Sequence, residues 1–386
     1  MSYLKAVLSA APLLKREWNK QQRLALQNAV CFALPKHRAS ACLRHPLPAS
    51  SVTVSATESG GTRLGGLMVC DSFHVCPVCH HKKMAQDKAA VAEMVGQHYA
   101  AGGFMVDAVF TVPHSSDETL SEVLGRLETV WKSLRSKPIW RELAKGLGVV
   151  GCIRRLEVTL TNNGWHPHYH VSLLCDWRAT TEIKGRNRHA ALADAHALVA
   201  GRWAEAGKRA GIKVCLFAQA AVAIVDAVSA EKAAAYNAKN MGFGGKATSL
   251  TPMDLLRVID QIGDPAAIVA AKRLFAEYAE AIRGKHVLSL LGIARDMKAT
   301  ATAPKVKKAA ERLGCISPDG WGAVMAAGLR EEVAQVTTRE RLAAIVLGAA
   351  IFGGYAAIPT DWLTLTMETK PVIGVKSNPV LVGEEA

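Results

Sequence analysis

Acid is scarce in this chain of 386 residues: 33 Asp and Glu stand against 47 Lys and Arg, a formal charge of +14. The basic excess runs along the whole chain rather than gathering in a tail, and a polyanion is its natural partner. Long apolar runs are missing too. The one uncharged stretch of note, Leu342 to Ile358, is at the short limit for spanning a bilayer and contains three glycines, so it reads as a buried helix followed by a turn rather than a membrane span. An even, regular set of cysteines is also absent. Nine at irregular spacing in a long chain argue against a disulfide framework and for metal ligands or thiols. No internal repeat is found, and with half the residues apolar the chain is not disordered. The apolar N-terminal run is followed by Lys15, Arg16 and Lys20 and suits an amphipathic helix at least as well as a signal peptide, so a cytoplasmic location is expected.

What is present begins with "GWHPHYHVSLL", residues 164–174. Alternate residues of a strand share a face, so His166, His168 and His170 point the same way. The preceding run "GVVGCIRRLEVTLT" also reads as a strand, and Asn162, Asn163 and Gly164 between the two signal a hairpin. With Asn163 and Gly164 as the loop, Glu157 faces His170; with Asn162 and Asn163 as the loop, it faces His168. Either register puts a carboxylate beside the imidazoles, a donor set that admits Mn²⁺, Mg²⁺ or Zn²⁺. His166, one strand step earlier, contributes or merely flanks. The bland alternative is a polar solvent face on an edge hairpin.

Nearby elements read as "FMVDAVFTV" (strand), an amphipathic helix from Leu120 to Leu134 with Ser115 and Glu118 as a capping box, and a second helix through Leu192, Ala195, Val199 and Trp203. "KVCLFAQAAVAIVDAV" returns to strand, and "SAEKAAAYNAKNM" reads as a helix capped by Ser229. The expected fold is α+β, an antiparallel five-stranded sheet with helices on one face and the other face free for chemistry. The expected divisions are a basic, zinc-binding module over 1–95, the sheet domain over 100–245, a helical extension over 246–297, a linker over 298–309 and a small helical region over 310–386. "PLPASSVTVSATESGGTRLGG", between Cys42 and Cys70, reads as a loop.

Among six tyrosines, only Tyr236 has a lysine one helical turn on, Lys239 at i+3, with Lys232 at i−4 on the same face. Nearby ammonium groups help a phenol act as a nucleophile; alone, such a residue is also an ordinary core-edge tyrosine. In "CDSFHVCPVCHH", Cys70, Cys76 and Cys79 form a knuckle suited to structural Zn²⁺. Cys42 is the first choice as fourth ligand, with His45, His74, His80 and His81 competing.

"FTVPH", "HPHYH" and "AYNAK", in that order, resemble the three motifs of the HUH endonucleases, specifically the replication initiators of rolling-circle plasmids. The resemblance runs from about Cys70 to Met297, including the cysteine segment and "LTPMDLL". It implies that His168 and His170 bind Mg²⁺ or Mn²⁺ with Glu157 as a further ligand, that His114 falls in the first motif, and that Tyr236 attacks the DNA backbone to leave a 5′-phosphotyrosine link. Origin DNA, a host helicase and a polymerase are the implied partners. The chain departs from some relatives where a glutamate one turn before the tyrosine activates water: Lys232 occupies that place, and Glu231 lies about 140° round the helix. A relaxase or single-strand transposase, and a zinc-containing DNA-binding regulator without nuclease activity, are the alternatives.

Overall fold

The computed structural model describes residues 3–16, 18–57, 61–181, 188–214, 220–225, 249–301 and 310–365. In chain order, α1 (Tyr3–Ala10) and α2 (Lys20–Ala33) precede β1 (Val52–Thr57) and β2 (Thr62–Gly65). Next come α3 (Pro77–Ala100), β3 (Phe104–Phe110), α4 (Leu120–Leu134), α5 (Lys137–Leu147), β4 (Val149–Thr161), β5 (Gly164–Cys175), α6 (Arg188–Arg209) and β6 (Ala220–Val225). The remainder is α7 (Pro252–Gln261), α8 (Pro265–Ala281), β7 (Leu288–Gly292), α9 (Ile293–Ala301), β8 (Ala310–Ile316), α10 (Pro318–Ala326), α11 (Arg330–Val333), α12 (Arg339–Phe352) and β9 (Leu363–Leu365). Two compact units result, one of 1–18, 28–35 and 72–303, the other of 19–27, 36–71 and 304–386.

The first unit is built on a five-stranded antiparallel sheet in the order β6-β3-β5-β4-β7. One face is packed by helices. Phe110 and Tyr169, register partners, meet Trp131 of α4 at 6.0 and 5.5 Å between ring centroids, and Trp203 of α6 lies 4.7 Å from Phe110. Each such buried aromatic contributes about 1.5–3 kcal/mol by leaving water. Trp203 keeps its polar end satisfied by donating Nε1–H to the Thr111 carbonyl at 3.0 Å. The helix α4 starts later than Ser115: its capping box is Thr119 with Glu122, while Ser115 and Glu118 bond each other in the loop before it. Both pairs fit the same pattern, and the apolar repeat begins only at Leu120.

The other face is divided. At one end, Val91, Met94 and Val95 of α3 pack on Met105, Ile153 and Leu174, so a helix covers part of the face expected to be free. Beyond that end the residues on the same face turn polar, from Asp107, Ser172 and Arg155 to Glu157 and the histidines. The fifth strand also differs in origin from the expected helical extension. "VLSLLG" is a short apolar run that periodicity alone cannot assign, and it forms β7 at the sheet edge.

In the second unit, the stretch read as a loop is the hairpin of β1 and β2, and β1 pairs with β8 in a sheet ordered β2-β1-β8-β9. Ser, Thr and Gly between Cys42 and Cys70 mask a period-2 pattern in which Val52 and Val54 are fully buried. They join Leu313, Ile316, Trp321 and Leu342 in one core, so residues 310–365 supply strands as well as helices. Leu342, Val346, Ala349 and Ala350 of α12 are buried, and Gly353 and Gly354 end the helix in a turn. Among the described residues no helix is long and apolar enough to cross a membrane.

Candidate metal centres

β4 and β5 pair from Thr161↔Gly164 down to Val149↔Cys175, so Asn162 and Asn163 are the two-residue loop. Gly164 takes φ +87°, and a Cβ there would come within 2.9 Å of the Ser115 carbonyl oxygen, so the turn needs glycine on both counts. This register sets Glu157 opposite His168, Arg155 opposite His170 and Thr159 opposite His166. The donor atoms converge. His168 Nε2 and His170 Nε2 are 3.1 Å apart, and Glu157 Oε2 lies 3.3 and 3.2 Å from them.

Such a triangle fits a small divalent ion. Ligands about 2.1 Å from a metal sit about 3.0 Å apart at octahedral right angles and about 3.4 Å apart in a tetrahedron. The second carboxylate oxygen of Glu157, Oε1, is buried without a hydrogen-bond partner, as an oxygen awaiting an ion would be. Burial by itself would raise the Glu157 pKa, but hydrogen bonds with His168 and His170 outweigh it and hold the carboxyl at about 2. It is therefore an anion at any physiological pH.

His166 does not join the converging group. Two strand steps from His170, its ring lies tilted between its neighbours instead, 5.0 Å from His168 and 4.9 Å from His114 by centroids. Burial, then the adjacent His168 and His114, lower its pKa to about 4, so it is neutral. Behind the group, Ser172 donates to Asp107 at 2.6 Å, and burial raises the Asp107 pKa. Sequence reading passed over Asp107 and Arg155. The signal was there in "FMVDAVF" and "CIRRLEV", charges inside runs that otherwise read as buried strand.

The cysteines form a second group. The sulfurs of Cys42, Cys70, Cys76 and Cys79 all lie within 4.8 Å of one another, and all four residues are buried. A tetrahedral Zn²⁺ with Zn–S bonds of about 2.3 Å needs sulfurs about 3.8 Å apart, so the cluster could hold a structural zinc. Two of the chain's non-glycine residues with positive φ, Leu43 and Asp71, directly follow Cys42 and Cys70, marking tight turns at those two ligands. Histidines that competed for the fourth place are engaged elsewhere: His74 Nε2 donates to the Lys285 carbonyl, His80 Nδ1 to that of Phe73, and His81 Nδ1 accepts from Trp18.

Tyr236, Lys239, Lys232, Glu231 and Ser229 lie outside the described residues.

Two curated proteins are similar to part of the chain. "Protein rep" of Streptomyces lividans is 31% identical over 166 residues, 35% of this chain and 36% of that protein. "Neomycin resistance protein" of Streptomyces cyanogenus is 26% identical over 156 residues, 34% of this chain and 36% of that protein. The chain thus spans about a third of the length of the curated relatives it matches, and over that part it is Rep-like. No family model matches, and no solved structure matches.

Proposed function

We propose that this protein is a replication initiator that nicks single-stranded origin DNA and stays covalently attached to it. The observation that carries the reading is the convergence of Glu157, His168 and His170 on the polar part of a sheet face, in a basic chain with a Rep-like region. Those three residues would hold Mg²⁺ or Mn²⁺. A bound ion of that kind supplies charge neutralisation at phosphate oxygens. Tyr236 supplies the nucleophile: its phenol oxygen forms a bond to phosphorus, the bond to the 3′-oxygen breaks, and that oxygen leaves as a hydroxyl carrying a proton. The product is a 5′-phosphotyrosine and a free 3′ end, a form that is rejoined without ATP. Lys239, three residues on in the sequence, favours the phenolate. Zn²⁺ on Cys42, Cys70, Cys76 and Cys79 has a structural part, and a host helicase and polymerase extend the exposed end.

The test is to incubate the full chain with labelled single-stranded DNA from its own replicon and Mn²⁺, denature it, and look for protein carrying DNA. A covalent band mapping to Tyr236 is expected, and Tyr236→Phe should abolish it while changing DNA affinity less than about twofold. A Tyr236→Phe protein that still becomes linked rules out this nucleophile. Absence of any link on DNA the protein binds turns the reading to a non-catalytic DNA-binding regulator.

A further inference from the structure

Beside the Glu157 group lies a cavity of about 410 Å³, within the range of small-ligand sites. It opens where β4 loses its outer neighbour. β7 pairs with β4 only as far as Arg155↔Leu288, with one more bond from Leu156 N–H to the Val287 carbonyl, and contact resumes only at the Leu160↔Leu250 bridge. In an antiparallel ladder alternate residues direct both N–H and C=O to the same side. Leu156 and Leu160 direct theirs outward, so Val158 does too, into the interval where among the described residues no strand pairs with it. An adjacent donor and acceptor on a rigid edge match the hydrogen-bonding edge of any nucleobase.

The walls suit the faces of a base. Phe73, Met84, Met253, Tyr278 and Leu288 present apolar surface. The lining also carries charges of both signs, Lys83 ion-paired with Asp87 and Arg155 beside Glu157, and Lys83 lies 5.6 Å from the Phe73 ring centroid. Glu157 belongs to both the cavity lining and the three-donor group, so an occupant of one is next to an occupant of the other.

We infer that this cavity receives one unstacked nucleotide of the single-stranded substrate, its base edge read by the Val158 backbone. This rests on the DNA-processing reading above. It adds a determinant of where the strand is positioned, supplied by β4 and the first turns of α3 rather than by the histidine strand.

The experiment measures binding of the four deoxynucleoside 5′-monophosphates and of deoxyribose 5-phosphate to the full chain by equilibrium dialysis, without added Mg²⁺ or Mn²⁺. At least one nucleotide should bind about tenfold more tightly than the sugar phosphate, the difference being the base. Val158→Pro removes an outward-facing N–H, which an edge position tolerates, and exchanges the buried valine side chain for one of similar size, while Met84→Trp fills the cavity from α3. Each variant, checked for unchanged circular dichroism, should erase the preference. Equal binding of nucleotides and sugar phosphate by the wild-type chain overturns the proposal, as does a preference that survives in either folded variant. No bond is cut in this assay, so failure of the covalent-link experiment leaves the pocket result standing, and a covalent link without any base preference removes the pocket alone.

Discussion

Glu157, His168 and His170 keep 28, 11 and 23% of their side-chain surface exposed and stand on a single hairpin, whereas Cys42, Cys70, Cys76 and Cys79 are at most 5% exposed and come from two turns and the start of α3. The first group supplies three donors, so an ion held there would keep further coordination positions for other ligands. Four thiolates close the second group completely. That difference, an open set of mixed N and O donors against a closed set of sulfurs, is the one that separates metal sites that do chemistry from those that hold a fold together.

The sharpest way to break the contrast is to remove one donor from each group. Cys76→Ser should cost about 3 kcal/mol or more of folded stability and about one equivalent of tightly bound zinc, read by thermal unfolding and metal analysis. Full zinc occupancy in that variant would refute the closed site. Next in size, replacing both His168 and His170 with Ala should lower metal-dependent cleavage by about a thousandfold or more, yet shift stability by only about 1 kcal/mol. If stability instead collapses as for the cysteine variant, the two groups are not different in kind.

A subtler separation uses protons. A metal ligand must be deprotonated to bind. The Glu157 carboxyl is held at about 2, below its ordinary value, so it stays ionised as pH falls toward 4 and takes up no proton there when an ion leaves. Acid release of Mn²⁺ should therefore carry at most two protons, one per imidazole, measurable by calorimetry in buffers of different ionisation heat. Three would mean that the carboxylate is not held as described. The smallest expected effect is that of His166→Ala. Since its ring lies beside the converging donors without joining them, Mn²⁺ affinity should change by less than about threefold, and a loss near that of His168→Ala would make it a ligand after all.

How far the sequence foretold these features depends on whether the cause was local. The alternation of His166, His168 and His170 is a strand property, and the carboxylate opposite followed from hairpin arithmetic. The register itself stayed open between two loops because Asn-Asn and Asn-Gly are both plausible turns; Gly164, held at positive φ against Ser115 and Ser116, is the tertiary fact that accompanies the choice. The α+β class and four strands of the antiparallel sheet were legible from apolar periodicity. Less legible were β1, hidden in a Ser- and Thr-rich stretch, and β7, five residues long and meaningful only once β4 offers an edge. Cys42 could be ranked but not proven from spacing, because the closure of a four-cysteine cluster depends on where a distant turn lands. The pocket at Val158 had no sequence signal at all, since it is made by what a neighbouring strand fails to cover.

The strand order carries one more consequence. β5, with its histidines, is the middle strand of five, paired with β4 from Gly164 to Cys175 and with β3 from Tyr169 to Cys175. Amides at the centre of a sheet exchange with solvent only through the largest openings, while edge strands fray first. The amide of His170, flanked by Val109 and Arg155, should thus rank among the slowest to exchange, and β6 and β7 can loosen without disturbing it. A site on the edge would be lost with the first local opening; this one endures about as long as the sheet does.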